Sequence, residues 1–411
     1  MELSNINSRE DIEELLLTCR DKRYEQICKK IENKEEVFIK AITITNDFQK
    51  PVVDPYFFYI SMLPMDIIPT DSILSFQIIN NKLVVKIYSN NNDNETGIKL
   101  NLDLLKKMGI THYKLYILPE KIVFLNSLLK EKLNKLRLKK DDWEFLQIYD
   151  CINKTYDIFK KMTNHIKSNE ITSEQYLESI YYKYLIKDEY RVPYLPIIGS
   201  SQNAAYIHYL NNNSPIMKGQ VVLMDCGVKN KYGYASDITR TIINDKCELH
   251  KKVYNIVKKA HDSCVELIRK YLMINQNISL NDLDEQCIQV YIEEFANFEI
   301  DTRYPQWSNG IQNCKKKSFL EGKQFIKNFY THFIGHNIGL DTHDPNGDGY
   351  LEERCIFTIE PGLYFNKNTI GFEIPAELYE IGGIRIEDMY TILKISGALQ
   401  IIHLSDNIPK I

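Results

Sequence analysis

Hydrophobic positions along this chain keep two different periods, and the switches between them mark its elements. Ile12, Leu15, Leu16, Cys19, Ile27, Cys28 and Ile31 recur at helical spacing behind Ser8 and Asp11, which predicts a helix over about residues 9 to 32. Glu36 to Ile42 leans towards strand. Leu74, Phe76 and Ile78 then alternate with polar positions, and Asn80-Asn81 turns that strand back into Leu83 to Tyr88. A polar, asparagine-rich stretch, 89 to 95, reads as a surface loop. Phe145, Ile148, Tyr149, Ile152, Tyr156 and Phe159 restore the helical period. Further helices are predicted after Thr172, with Gln175 completing a capping box, over Glu248 to Tyr271, and over Leu280 to Phe295 behind Ser279. The stretch from Glu299 to Phe329 reads as a long surface excursion.

At 411 residues the chain is too long for one ordinary core, which favours two domains. The change from lysine-rich to periodic sequence places their boundary near residue 136. Composition is that of a globular protein, with 44% hydrophobic and 26% charged residues. No apolar run approaches the roughly 18 residues of a membrane span. A net charge of -4 gives no field to gather nucleic acid. Lys130, Lys132, Lys135, Arg137, Lys139 and Lys140 form a local basic run without stacking aromatics, and it reads as a solvated face around an interdomain linker. Nine scattered cysteines and a start without an apolar or arginine-rich leader point to a reducing compartment, the cytoplasm.

Four stretches carry candidate chemistry. Val221 to Asp225 is an apolar strand ending in an aspartate, and Ala235-Ser236-Asp237 opens the next strand after a polar turn. A hairpin centred on Lys231 would set Asp225 directly opposite Asp237, where two carboxylates repel unless a cation or a shared proton lies between them. His332, His336 and His343 cluster among glycines, and their spacing suits one ligand with two accessory histidines better than three ligands. Phe357 to Ile359 delivers Glu360 into a Pro-Gly turn. Strand alternation over Ile384 to Glu387 puts Arg385 and Glu387 on one face. Four carboxylates and one imidazole form a hard ligand set, suited to paired Mn²⁺, Co²⁺, Zn²⁺ or Mg²⁺ and so to hydrolysis.

The strings GSxxNAAxxHY, ASDITRT, GHxIGLDTHD, TIEPGLY and GIRIED follow one another in the order seen in aminopeptidase P and prolidase. The chain resembles the pita-bread metallopeptidases strongly over about residues 137 to 400, and weakly before residue 130 through Asp54 to Ser61. That resemblance implies an α+β chain: a smaller mixed α/β N-terminal domain, 1 to 136, and a C-terminal pita-bread domain of the creatinase and aminopeptidase type, 137 to 411. It implies metal ligation by Asp225, Asp237, His336, Glu360 and Glu387, most readily of two Mn²⁺ ions. Glu360 would also pass a proton from the attacking water to the departing proline nitrogen. His208 and His343 would steady the substrate carbonyl, His332 would line the proline pocket, and Arg385 would contact the site carboxylates or substrate. Three positions depart from the family pattern: the turn after Asp225 is one residue longer, Phe333 replaces a usual glycine, and Cys226 a small residue.

The implied activity is that of an Xaa-Pro aminopeptidase acting on peptides with proline second, as a homodimer, with neither nucleic acid nor membrane as partner. An Xaa-Pro dipeptidase ranks second, because the compact stretch between Glu360 and Glu387 is more like aminopeptidase P. A proline-independent processing aminopeptidase of mitochondrial type and a metal-free peptide- or protein-binding module follow. Methionine aminopeptidase does not account for the extra domain.

Overall fold

In the computed structural model the described residues are 9–31, 35–44, 51–64, 72–89, 102–114, 123–168, 172–243, 247–316, 318–408 and 410. Ser8 and the loop 90 to 95 lie outside them. The chain divides into two compact units. One comprises Met1–Asp150 with Lys229–Ala235 and Gly339–Gly347; the other comprises Cys151–Val228, Ser236–Ile338 and Asp348–Ile411.

The first unit is built on a mixed five-stranded sheet. Its order is Ile110–Lys114, Lys82–Ser89, Ile73–Ile79, Val37–Lys40 and Val123–Phe124, with antiparallel pairs in the middle and a parallel pair at each end. The central hairpin turns at Asn80 and Asn81, both at positive φ, a backbone region asparagine tolerates better than most residues. Helix Arg9–Lys30 buries Leu15, Leu16, Cys19 and Ile27.

The basic run is solvated only in part: Lys130, Lys135 and Lys139 are exposed, but the run is not a linker. It forms the helix Ser127–Arg137, in which Leu129, Leu133 and Leu136 are buried. Arg137 and Lys140 are buried too. Arg137 Nη2 donates to Asp341 at 2.7 Å and Asp344 at 2.6 Å, and Lys140 Nζ donates to Asp344 at 2.9 Å. Charges that cannot be solvated are held there because buried acids meet them, and those acids lie some 200 residues further along the chain. A second buried arginine, Arg23, donates through Nη1 to the carbonyl of Tyr59 at 2.8 Å and pairs with Asp141 and Glu144.

The second unit contains an antiparallel sheet ordered Ile238–Ile243, Val221–Cys226, Ile197–Ser200, and another ordered Ile356–Ile359, Asp388–Ile395, Ala398–His403. Between the first two strands of the latter in sequence, Gly362–Tyr364 pairs with Gly383–Arg385. Helices Glu248–Met273 and Leu280–Phe295 pack on one another, the second starting in a capping box of Ser279 and Asp282. The helix expected behind Thr172 is capped one residue later: Ser173 accepts from the Tyr176 amide at 3.1 Å.

The stretch from Glu299 to Phe329 is not a surface excursion. It folds as the helices Pro305–Lys315 and Phe319–Ile326, and Trp307 and Phe325 join Phe295, Phe298 and Phe329 in a buried aromatic cluster. Among the described residues, no helix is long and apolar enough to cross a membrane.

Candidate metal centre

The hairpin that carries the two aspartates turns one position later than its sequence suggests. Val221–Cys226 pairs with Ile238–Ile243 so that Asp225 faces Thr239, not Asp237. The turn spans Asn230 to Gly233, closed by the Gly233 amide donating to the Asn230 carbonyl at 3.0 Å, with Gly233 at φ +85°. The Asn230 carboxamide oxygen accepts from the amides of Tyr232 and Tyr234, fixing that register locally. Asp225 and Asp237 therefore sit diagonally on one face. The Tyr194 hydroxyl bonds to both, lying 2.7 Å from Asp225 Oδ1. Gly227 supplies the room opposite Asp237, since a Cβ there would meet the Ser236 carbonyl oxygen at 1.8 Å.

His336 and Glu360 are pinned as backbone neighbours. The Thr358 amide donates to the His336 carbonyl and the Glu360 amide to the Ile334 carbonyl, each at 2.8 Å. Gly335 permits this approach, because a Cβ would stand 2.1 Å from the Thr358 carbonyl oxygen. His336 Nδ1 donates to the Asn337 carbonyl at 3.1 Å, which turns Nε2 towards the acids. That nitrogen is 3.4 Å from Asp237 Oδ2 and 3.6 Å from Glu360 Oε1.

Glu387 is held against the aspartate hairpin by its amide, which donates to the Thr239 carbonyl at 3.1 Å, and by the Thr239 hydroxyl, which donates to its Oε2 at 2.8 Å. Asp237, His336 and Glu387 each offer a ligand atom within 4.8 Å of the others. Glu360 borders this trio through His336. Asp225 instead accepts from Arg385 Nη2 at 2.5 Å, so it is tied to the centre through an arginine as well as through Tyr194.

Charge crowding here is severe. Burial raises the Glu387 carboxyl well above its usual range, and Asp237, Glu360 and Asp225 push the same way while Arg385 opposes. Burial also lifts Glu360 to about 7, against the pull of His336 and Arg385. Asp225 is raised by burial, which Arg385 only partly offsets. Burial alone would lower His336, yet its hydrogen bond to Asp237 and the Glu360 charge outweigh it and raise the imidazole to about 9. Hard oxygen donors that repel one another in a largely buried site, beside an imidazole whose Nε2 a metal would take in place of a proton, are the environment a divalent cation neutralises. The residues present therefore fit one.

A second set of groups leads away from the trio. Arg385 Nη1 donates to the Tyr364 hydroxyl at 2.7 Å, and that hydroxyl lies 2.8 Å from His332 Nε2. His332 Nδ1 donates to its neighbour's carbonyl, that of Phe333, at 2.7 Å, so Nε2 accepts the tyrosine proton. Burial, with the nearby Arg385, Lys327 and His208 charges, lowers His332 to about 3 and keeps it neutral. Both of its nitrogens are committed to these two bonds. His208 is exposed. His343 lies exposed in the segment Gly339–Gly347, which belongs to the first unit.

Sequence reasoning missed Tyr194, Thr239 and Tyr364. Thr239 and Tyr364 fall inside strings already singled out, where strand alternation could have placed them. For Tyr194 no local pattern pointed to the site.

Residues 147–394 match metallopeptidase family M24. The chain belongs to that family. Over 266 residues this M24 chain is 29% identical to Xaa-Pro aminopeptidase 1 of Streptomyces coelicolor, covering 62% of the chain and 50% of the relative. The chain thus spans about half the length of that relative. Solved structures extend the likeness to the whole chain. Aminopeptidase P from Escherichia coli, in its low-pH form, superposes with a TM-score of 0.73 over 96% of both chains at 17% identity. Proline aminopeptidase P II from Yersinia pestis gives 0.74 over 96% of this chain and 97% of its own, again at 17%. The fold is therefore the pita-bread architecture of aminopeptidase P, with its smaller N-terminal α/β portion.

Proposed function

We propose that this M24 chain is a metal-dependent Xaa-Pro aminopeptidase, releasing the first residue of peptides whose second residue is proline. The observation that carries the reading is the convergence of Asp237, His336 and Glu387, with Glu360 at their edge, in a chain whose relatives bear that activity in their names. Asp225, Asp237, His336, Glu360 and Glu387 would hold two divalent ions, Mn²⁺ by preference, with Co²⁺ or Zn²⁺ as substitutes. When bound, such ions polarise a peptide carbonyl and acidify water.

The remaining work falls to the chain itself. Glu360, beside His336 at the edge of the trio, would take a proton and return it to the leaving nitrogen. That nitrogen belongs to a tertiary amide with no N–H, so recognition must rest on the pyrrolidine ring. His332, held neutral by Tyr364 and the Phe333 carbonyl, offers a ring face for it. Arg385 holds Asp225 against repulsion from the other acids, and His208 and His343 would donate to the substrate carbonyl. Residues 137–411 would form the catalytic part, acting in a homodimer. Nine free cysteines favour a reducing compartment such as the cytoplasm.

Comparing Ala-Pro-Ala with Ala-Pro tests the reading. Release of alanine from the tripeptide supports it. Cleavage confined to the dipeptide would make the chain a prolidase, and cleavage of neither in Mn²⁺ would overturn it.

A further inference from the structure

Glu174 is fully buried at the first turn of the helix Glu174–Lys187, and its carboxylate is ringed by donors. Oε1 accepts from the Ser200 amide at 2.7 Å, the Ser200 hydroxyl at 2.8 Å and the Asn203 carboxamide at 2.9 Å. Oε2 accepts from the Tyr209 hydroxyl and the Ser214 amide, both at 2.9 Å. These donors are backbone amides, hydroxyls and a carboxamide. Neutral donors of this number can hold a buried carboxylate as ion pairs do elsewhere.

All five belong to one stretch, residues 200 to 214, and they bracket His208. The same stretch packs directly on the strand of the metal centre. A Cβ on Gly382 would meet the Ser201 carbonyl oxygen at 1.6 Å, and one on Gly383 the Ala204 carbonyl oxygen at 1.9 Å. Two glycines thus let the short 3₁₀ turn Ser201–Ala205 lie against the backbone that continues to Arg385 and Glu387. His208 itself is exposed and makes none of these bonds. Its place is set from either side, by Asn203 before it and by Tyr209 and Ser214 after it.

We propose that Glu174 is a positioning residue: its buried carboxylate gathers residues 200 to 214 into the one conformation that presents His208 to the substrate. The proposal rests on the aminopeptidase reading for what His208 does, but not for how it is held. An acceptor on every side is what the position demands. A glutamine would turn an N–H₂ group towards either the Ser200 donors or the Ser214 amide, losing bonds and opposing donor to donor.

The test pairs amide hydrogen exchange with steady-state kinetics on E174Q and on Y209F, which removes one donor and leaves the carboxylate intact. In E174Q, exchange over residues 200 to 214 should speed by about 30-fold or more while the strands of the metal centre exchange as before. Turnover of Ala-Pro-Ala should fall by about 10- to 100-fold in kcat, with KM and bound metal little changed. Y209F should show the same local pattern at about threefold. Uniformly faster exchange in Y209F, or unchanged exchange over 200 to 214 in E174Q, would overturn the proposal. Since exchange needs no turnover, a wild-type chain that cleaves nothing sinks the aminopeptidase reading and leaves this one standing or falling on its own.

Discussion

Arg385 Nη2 lies 2.5 Å from Asp225 Oδ2, and both side chains are buried. The guanidinium also reaches Tyr364 and, through Nε at 3.1 Å, the Thr239 hydroxyl that bonds to Glu387. One planar cation thus joins two proposed metal-binding acids to the histidine expected to meet substrate. A lysine has the charge without the fork. Arg385→Lys should therefore lower kcat/KM by about 100-fold and cost roughly 3–5 kcal/mol of stability, since it leaves Asp225 buried and partly unpaired. Steady-state assays and urea unfolding check both parts.

Tyr364→Phe removes only the hydroxyl between Arg385 and His332. His332 then keeps its bond to the Phe333 carbonyl but loses the donor on Nε2. A drop of about 10-fold in kcat/KM is expected, expressed in KM, because the tyrosine touches none of the proposed metal ligands except through Arg385. Metal content by elemental analysis should stay at the wild-type level.

Asp344 provides a test within the first unit. Burial would raise its carboxyl, but Lys140 and Arg137 outweigh burial and hold it below the usual 3.8. A folded value below the unfolded one means stabilisation that is present above about pH 4 and is lost as pH falls through the folded value. Asp344→Asn should cost roughly 3–5 kcal/mol at neutral pH, by removing the one buried acid that Lys140 and Arg137 share and leaving Arg137 with Asp341 alone. That cost should shrink in urea titrations below about pH 4.

Much of this was legible in the sequence wherever a local rule decides. Asn80-Asn81 announced a turn at positive φ, Ser279 and Asp282 announced a helix start, and the strings around Asp237, His336, Glu360 and Glu387 announced a site. What stayed hidden depends on distant partners. Ser173 takes the cap from Thr172, which is instead paired with Ile216 in a short strand. The aspartate register shifts because Gly233 closes the turn in the left-handed region. Lys140 and Arg137 looked solvated because their acids lie in another part of the chain. The leucines at 129, 133 and 136 did carry a helical stripe, but the surrounding charges obscured it.

The stretch expected to lie on the surface yields a prediction of its own. Trp307 is buried against Phe295, Phe298, Phe325 and Phe329. Trp307→Ala should cost roughly 3–5 kcal/mol of stability, read by urea unfolding, with bound metal unaffected at low denaturant. A surface excursion would tolerate the change at well under 1 kcal/mol.

Metal stoichiometry is the most direct measurement of all. Chain purified in Mn²⁺ and dialysed into metal-free buffer should hold about two ions by elemental analysis, falling to about one or none in Asp237→Asn and Glu387→Gln with the fold intact by circular dichroism. A folded wild-type chain that retains no divalent ion, or variants that bind as much as the wild type does, would contradict the account.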